Sequence, residues 1–85
     1  MGSRVVFTPD ARKQVVALPA TVKARVLSAI RRLERWPNVA GVKWLRHEWR
    51  GFCRIRVGDY RVIFKSRDDE LVIVRVLHRS EVYDE

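Results

Sequence analysis

The stretch from Arg50 to Phe64, RGFCRIRVGDYRVIF, restricts the fold more than any other part of this chain. β-Branched and aromatic residues alternate with arginine on both sides of Gly58-Asp59, the pattern of two strands joined by a two-residue loop. Glycine at the first loop position suits a type II′ turn, whose twist matches that of the flanking strands. Closing the hairpin there sets Val57 opposite Tyr60, Arg56 opposite Arg61, Ile55 opposite Val62 and Cys53 opposite Phe64. Side chains alternate between faces, so one side of the hairpin is apolar and the other cationic.

The run from Leu71 to His78 reads as a further strand. With a three-residue connection, Arg67 to Asp69, Phe64 falls beside Val72, Val62 beside Val74 and Tyr60 beside Val76, all turned toward the helices. Arg61 then neighbours both Arg56 and Arg75, and Arg54, Lys65 and Arg79 join them, so six basic residues are expected on one sheet face. Like charges directly opposite each other cost roughly 0.2–1 kcal/mol per pair. An arginine row therefore calls for compensation, either by an anionic ligand or by ion pairs within the chain. Glu48, Asp59, Glu81 and Asp84 are the candidates for the latter.

Upstream, Arg4 to Thr8 has the length of a short first strand. Pro9-Asp10 opens a helix to about Leu18, since proline is tolerated at an early helical position and aspartate favours the positive end of the helix dipole. Pro19 starts a second helix, in which Val22, Val26, Ala29, Ile30 and Leu33 recur at helical spacing until Trp36-Pro37-Asn38 ends it. That apolar stripe is expected to be core, and Lys23, Arg25, Arg31 and Arg32 occupy the opposite side. Val39 to Glu48 is an irregular connection with a short strand around Lys43 to Leu45. The expected architecture is α+β: an N-terminal strand and helical hairpin packed on a mainly antiparallel, twisted sheet of about four strands, in one domain spanning residues 1–85.

Composition agrees with a small self-sufficient domain. Eighty-five residues with 47% hydrophobic content can bury one modest core without metal or disulfide support. The single cysteine, Cys53, falls on the apolar side of the hairpin and reads as a core residue in a reduced compartment. No run approaches the ~18 apolar residues of a membrane span, and the start of the chain lacks a secretory pattern, so a cytoplasmic location and no membrane partner are expected. One cysteine and two histidines cannot build a closed zinc site. No cofactor is expected, and positive charge must stand in for a metal in any phosphate chemistry.

Eighteen Lys and Arg against ten Asp and Glu give a net charge of +8 and a pI near 10.8. So basic a domain points to a polyanion, nucleic acid or an acidic protein, with a merely solvated basic surface as the alternative. Fourteen of the eighteen are Arg, which favours bidentate phosphate contacts. Trp44 and Trp49 flank the pre-hairpin connection and either stack on an exposed base or close the edge of the core. Trp36 reads as helix packing, and His47 as a surface or capping residue.

The run RGFCRIRVGDYRVIF, followed by VRVLHRSEVY, resembles the RelE/ParE superfamily of bacterial type II toxins over essentially the whole chain. The resemblance implies a compact toxin neutralised by a cognate acidic antitoxin in a hetero-oligomer. In the RelE branch it implies metal-independent cleavage of messenger RNA in the ribosomal A site. Arg54 and Arg56 stand where that branch carries basic residues that hold RNA backbone. Arg61 matches the arginine that stabilises the scissile phosphate, and Tyr83 the terminal tyrosine implicated in catalysis. Where the best-known member has a further catalytic arginine this chain has Leu77, with His78 and Arg79 as the adjacent substitutes. The candidate catalytic set is thus Arg61, Tyr83, His78 and Arg79, with Arg54, Arg56, Lys65 and Arg75 holding phosphate. A tyrosine titrates near ~10, and cations within ~4–6 Å would bring Tyr83 closer to use as a base; packing on the sheet edge is its structural alternative. His78 shares parity with the apolar Val76, which sets it against the arginine face unless the strand ends first.

Two other functions fit the same residues. A ParE-type toxin shares the fold but poisons DNA gyrase without nuclease activity. A nucleic-acid-binding module without catalysis would use the same basic face. The short helical hairpin and the crowding of Arg54, Arg56, Arg61 and Tyr83 favour the RelE branch.

Overall fold

The computed structural model describes residues 3–81. Strand β1, Arg4–Phe7, leads into helix α1, Pro9–Val16, and helix α2, Ala20–Arg32, which tightens into a 3₁₀ turn over Leu33–Arg35. Strands β2, Val42–Trp44, β3, Cys53–Val57, β4, Tyr60–Arg67, and β5, Glu70–His78, complete a five-stranded sheet ordered β1-β5-β4-β3-β2. The sheet holds one strand more than expected because the short segment around Lys43 pairs fully with β3. β1 runs parallel to β5, and every other neighbouring pair is antiparallel.

Each helix has a local cause. The Thr8 hydroxyl caps α1 by accepting from the Ala11 amide, and Pro9 and Asp10 fill its first turn. The stripe of α2 delivers Val26, Ala29, Ile30 and Leu33 to the core, while Val22 packs at its margin. They meet Cys53, Ile55, Val57, Val62, Phe64, Leu71, Ile73 and Val76 from one face of the sheet. Among the described residues, no helix is long and apolar enough to cross a membrane.

The β3–β4 hairpin has the register read from the sequence, with Arg56 opposite Arg61 and Val57 opposite Tyr60. Gly58 takes φ 58° while Asp59 stays out of the left-handed region, as a type II′ turn requires.

The β4–β5 register corrects the expectation. The connection is two residues, Asp68-Asp69, with Arg67 opposite Glu70 and Asp68 at φ 54°. Phe64 therefore pairs with Ile73, not Val72, and Leu71 and Ile73 are the core residues at this end. A bulge then inserts Val74, because Ile63 pairs with Arg75 while its neighbour Phe64 pairs with Ile73. Past the bulge Val62 lies opposite Val76, Arg61 opposite Leu77 and Tyr60 opposite His78.

Helix α1 stabilises that irregularity. A bulge leaves ladder groups without strand partners, and buried amides and carbonyls must find others. The Val76 amide donates to Gln14 Oε1 at 2.6 Å, and the Thr8 hydroxyl donates to the Val74 carbonyl at 3.4 Å. Both ends of α1, Thr8 at its N-cap and Gln14 in its last turn, are thus tied to the bulged stretch of β5.

Candidate nucleic-acid interface

Alternation along the strands, with the observed register, lays out the sheet face turned away from the helices as cross-strand rows. One row runs Arg56, Arg61, Leu77; the next runs Lys43, Arg54, Ile63, Arg75; a third brings Lys65 beside Val72. Arg54, Arg56, Arg61, Lys65 and Arg75 therefore share one face, as expected. Lys43 joins them, as the middle residue of a three-residue edge strand directly opposite Arg54. Its place was readable from the alternation Val42-Lys43-Trp44 once β2 was paired.

The expected neighbour of Arg61 changes. Leu77, not Arg75, stands opposite it, because the two-residue turn and the bulge displace β5 relative to the simple count. Arg75 faces Ile63 instead, donates to the Val74 carbonyl at 2.8 Å and lies 3.6 Å from Asp10 at the start of α1. A three-arginine row is thereby avoided, and one of the cations is drawn to the edge of the sheet.

Two arginines of the face are buried. Arg61 is 4% exposed and Arg54 9%. A guanidinium withdrawn from water needs acceptors, and backbone carbonyls supply them. Arg61 Nη1 donates to the carbonyls of Gly58 at 3.2 Å and Tyr60 at 3.1 Å, so the turn that sets the hairpin register also holds the arginine. Arg54 Nη1 donates to the Gly41 carbonyl at 3.3 Å, across the end of β2. Arg56, by contrast, is exposed. It lines, with Arg32, Lys43 and Arg54, a cleft of about 630 Å³, and with Arg25 and Arg32 a second of about 430 Å³. Cationic surface thus continues from the sheet face around the end of β3 to α2.

The ending of the chain is divided. His78 closes β5 opposite Tyr60, on the parity of Val62 and the core, and their rings meet edge-on at 5.3 Å. Its Nδ1 accepts from the Ser80 amide at 3.2 Å and lies 2.9 Å from the Ser80 hydroxyl. The imidazole is thereby turned into its own 3₁₀ turn, Arg79–Glu81, and strand alternation does not bring it to the arginine rows. Arg79 also leaves the sheet face: its amide donates to the Asp59 carbonyl at 2.7 Å, and its guanidinium lies 4.0 Å from the Asp59 carboxylate with both side chains exposed. Glu81 accepts from the His78 amide at 3.0 Å. Tyr83 and Asp84 lie outside the described residues.

Cys53 takes no part. It is 1% exposed, and burial pushes its thiol up to about 11, which removes the thiolate nucleophile at neutral pH.

The arrangement as a whole is a cationic sheet face in which two arginines are buried and donate to backbone carbonyls and a third, Arg56, is exposed. A profile described as ParE toxin of type II toxin–antitoxin system, parDE, matches residues 5–83. The chain belongs to this toxin family. The toxin is 38% identical over 80 residues to Toxin RelG of Mycobacterium tuberculosis, covering 91% of each chain, and 27% identical over 84 residues to Toxin RelE3 of Methanocaldococcus jannaschii, covering 95% of this chain and 96% of the relative. Its fold is similar to that of a chain in the RelBE2 toxin–antitoxin complex from Mycobacterium tuberculosis, with TM-score 0.81, 34% identity, and coverage of 93% of this chain and 100% of the other. A chain of the archaeal RelE–RelB complex from Pyrococcus horikoshii is also similar, with TM-score 0.74, 26% identity, and coverage of 96% and 100%.

Proposed function

We propose that this toxin is a metal-independent endoribonuclease that cuts messenger RNA on the translating ribosome. The observation that carries the reading is Arg61, buried at the hairpin turn and aimed by the Gly58 and Tyr60 carbonyls, with Arg56 directly across the ladder and Arg54 in the next row. The relatives named RelG and RelE3 support the RelE branch.

In this reaction the 2′-oxygen of one nucleotide loses its proton and attacks the adjacent phosphate, and the bond to the next nucleotide's 5′-oxygen breaks as that oxygen takes up a proton. Negative charge grows on the nonbridging oxygens between those events. In this reading Arg61 and Arg56 donate to them, and a preorganised donor contributes more than one that must reorganise during the reaction. Arg54, Lys43, Lys65 and Arg75 hold the flanking backbone. Proton transfer falls to Tyr83 by resemblance, since His78 is engaged by Ser80 and Arg79 by Asp59.

A cognate acidic antitoxin is the partner that fits this face by charge, and solved complexes of similar chains contain RelB-type antitoxins. Controlled expression of the toxin and an Arg61→Ala twin, with mapping of new 5′ ends in cellular messenger RNA, tests the activity. Codon-phased cuts in translated regions, lost in the twin, are expected. Growth arrest without cuts would overturn the reading.

A second reading is favoured by the family profile, whose description names the ParE toxin of parDE. In that case growth arrest would come with gyrase-dependent DNA damage and intact messenger RNA.

A further inference from the structure

Trp44 and Trp49 were equivalent in the sequence, and the fold separates them. Trp44 pairs with Cys53 in the ladder, so it shares the helix-side parity, and its ring lies 6.4 Å from that of Trp36. Trp49 is carried to the other side by the segment 47–52. Two residues there take left-handed backbone, His47 at φ 57° and Gly51 at φ 92°, and the Phe52 amide donates back to the Trp49 carbonyl at 2.9 Å. The chain folds on itself, and the Trp49 and Phe52 rings meet at 5.2 Å and 90°.

Lys65 fixes the face on which this pair lies. It follows the core residue Phe64 and so points to the arginine side, where its ammonium stands 5.4 Å from the Phe52 ring centroid, within cation–π range. Phe52 is two residues before Arg54 on the same strand line, about 7 Å away. Trp36 packs against the core cluster, whereas Trp49 and Phe52 stand outside it and are both half-exposed. The order along this edge of the face is thus aromatic pair, Arg54, Arg56.

We infer that Trp49 and Phe52 form a stacking shelf for one unpaired base of a single-stranded RNA whose phosphates lie along Arg54 and Arg56, with Lys65 pairing with the phosphate beside the stacked base. The inference rests on the ribonuclease reading and names how that site holds its substrate. Every base has a π-face, so the shelf tolerates sequence while fixing which nucleotide sits at Arg61. An acidic peptide would satisfy the arginines but gives no use for two half-exposed rings bracketed by a lysine.

The test uses the full-chain toxin and a 2′-O-methyl RNA oligonucleotide, which cannot be cut by attack of its 2′-oxygen. Phe52→Leu and Trp49→Leu are each expected to weaken binding about 5-fold or more with the log–log salt slope unchanged, and Phe52→Tyr to retain it. Lys65→Gln should instead lower the magnitude of that slope by about 0.7. Removing the base from one nucleotide at a time should expose a single position whose loss weakens binding to the parent but not to Phe52→Leu. Circular dichroism verifies that each variant is folded. Equal abasic profiles in parent and variant would overturn the shelf. Weakened antitoxin binding with unchanged RNA binding would assign the rings to a protein partner instead. No RNA binding by the parent would overturn the shelf, whereas the ribonuclease reading stands or falls on the codon-phased cuts in cellular messenger RNA.

Discussion

Arg56 and Arg61 are direct partners across the β3–β4 ladder, yet Arg56 is exposed and Arg61 is 4% exposed. Two like charges at one register position would repel if both stood in the open. Arg61 instead bends back onto the carbonyls of its own turn, leaving Arg56 facing the clefts beside α2. The pair divides into one buried donor and one exposed one.

Arg61→Ala is expected to lower the rate of ribosome-bound messenger cleavage by about 10²–10³-fold, the usual consequence of deleting a preorganised donor. Arg61→Lys should recover only part of it, because an ammonium lacks the fork that can meet carbonyl and phosphate together. Single-turnover cleavage with far-UV circular dichroism measures both.

Gly58→Ala should destabilise the fold. A left-handed residue with a Cβ costs roughly 1–2 kcal/mol, and the added Cβ would stand 3.3 Å from Arg25 Nη1. For a domain of this size the thermal midpoint should fall by about 4–8 °C per kcal/mol. Calorimetry of the variant gives the shift, and an unchanged midpoint would contradict the turn assignment.

Gln14→Ala should cost about 1–3 kcal/mol by leaving the Val76 amide without its acceptor. Gln14→Glu keeps an acceptor at that position and should restore most of the loss. Urea unfolding of the three proteins measures the difference, and hydrogen exchange at Val76 reports where it acts.

Binding of single-stranded RNA should fall steeply with salt. Six cations on the sheet face, each contributing about −0.7, give a log–log slope of about −4 if all contact phosphate. Fluorescence anisotropy across a salt series supplies the slope, and a value near zero would remove the face from RNA binding.

The Cys53 thiol should resist alkylation at pH 8 in the folded protein, because it is buried and its titration is pushed up to about 11 from 9.0. The sign for stability follows. Between those values the unfolded chain has released the proton and the folded chain has kept it, so folding stability should decline as pH rises from 9 to 11. Cys53→Ala should flatten that decline, as read from urea midpoints across the range.

The sequence by itself determined whatever was encoded within a few residues. Gly58-Asp59 dictates one turn, that turn dictates one register, and alternation then puts Arg54, Arg56 and Arg61 on one face with Cys53, Ile55 and Val62 on the other. The spacing of Val26, Ala29, Ile30 and Leu33 likewise announces the buried side of α2 with no reference to its surroundings.

The tertiary structure alone decided the rest. The displacement of β5 depends on a bulge whose freed amide is satisfied by Gln14 and whose carbonyl takes the Thr8 hydroxyl, contacts more than sixty residues apart that no local pattern records. That displacement replaced Arg75 by Leu77 beside Arg61 and set His78 at the strand end against Tyr60. Trp44 and Trp49 were separated the same way, because pairing of β2 with β3 fixed the first and left-handed backbone at His47 and Gly51 turned the second toward the arginines. Side-chain alternation is a local property. Which strands meet, and where the alternation slips, is settled by the hydrogen-bonding needs of groups that come together only when the chain has folded.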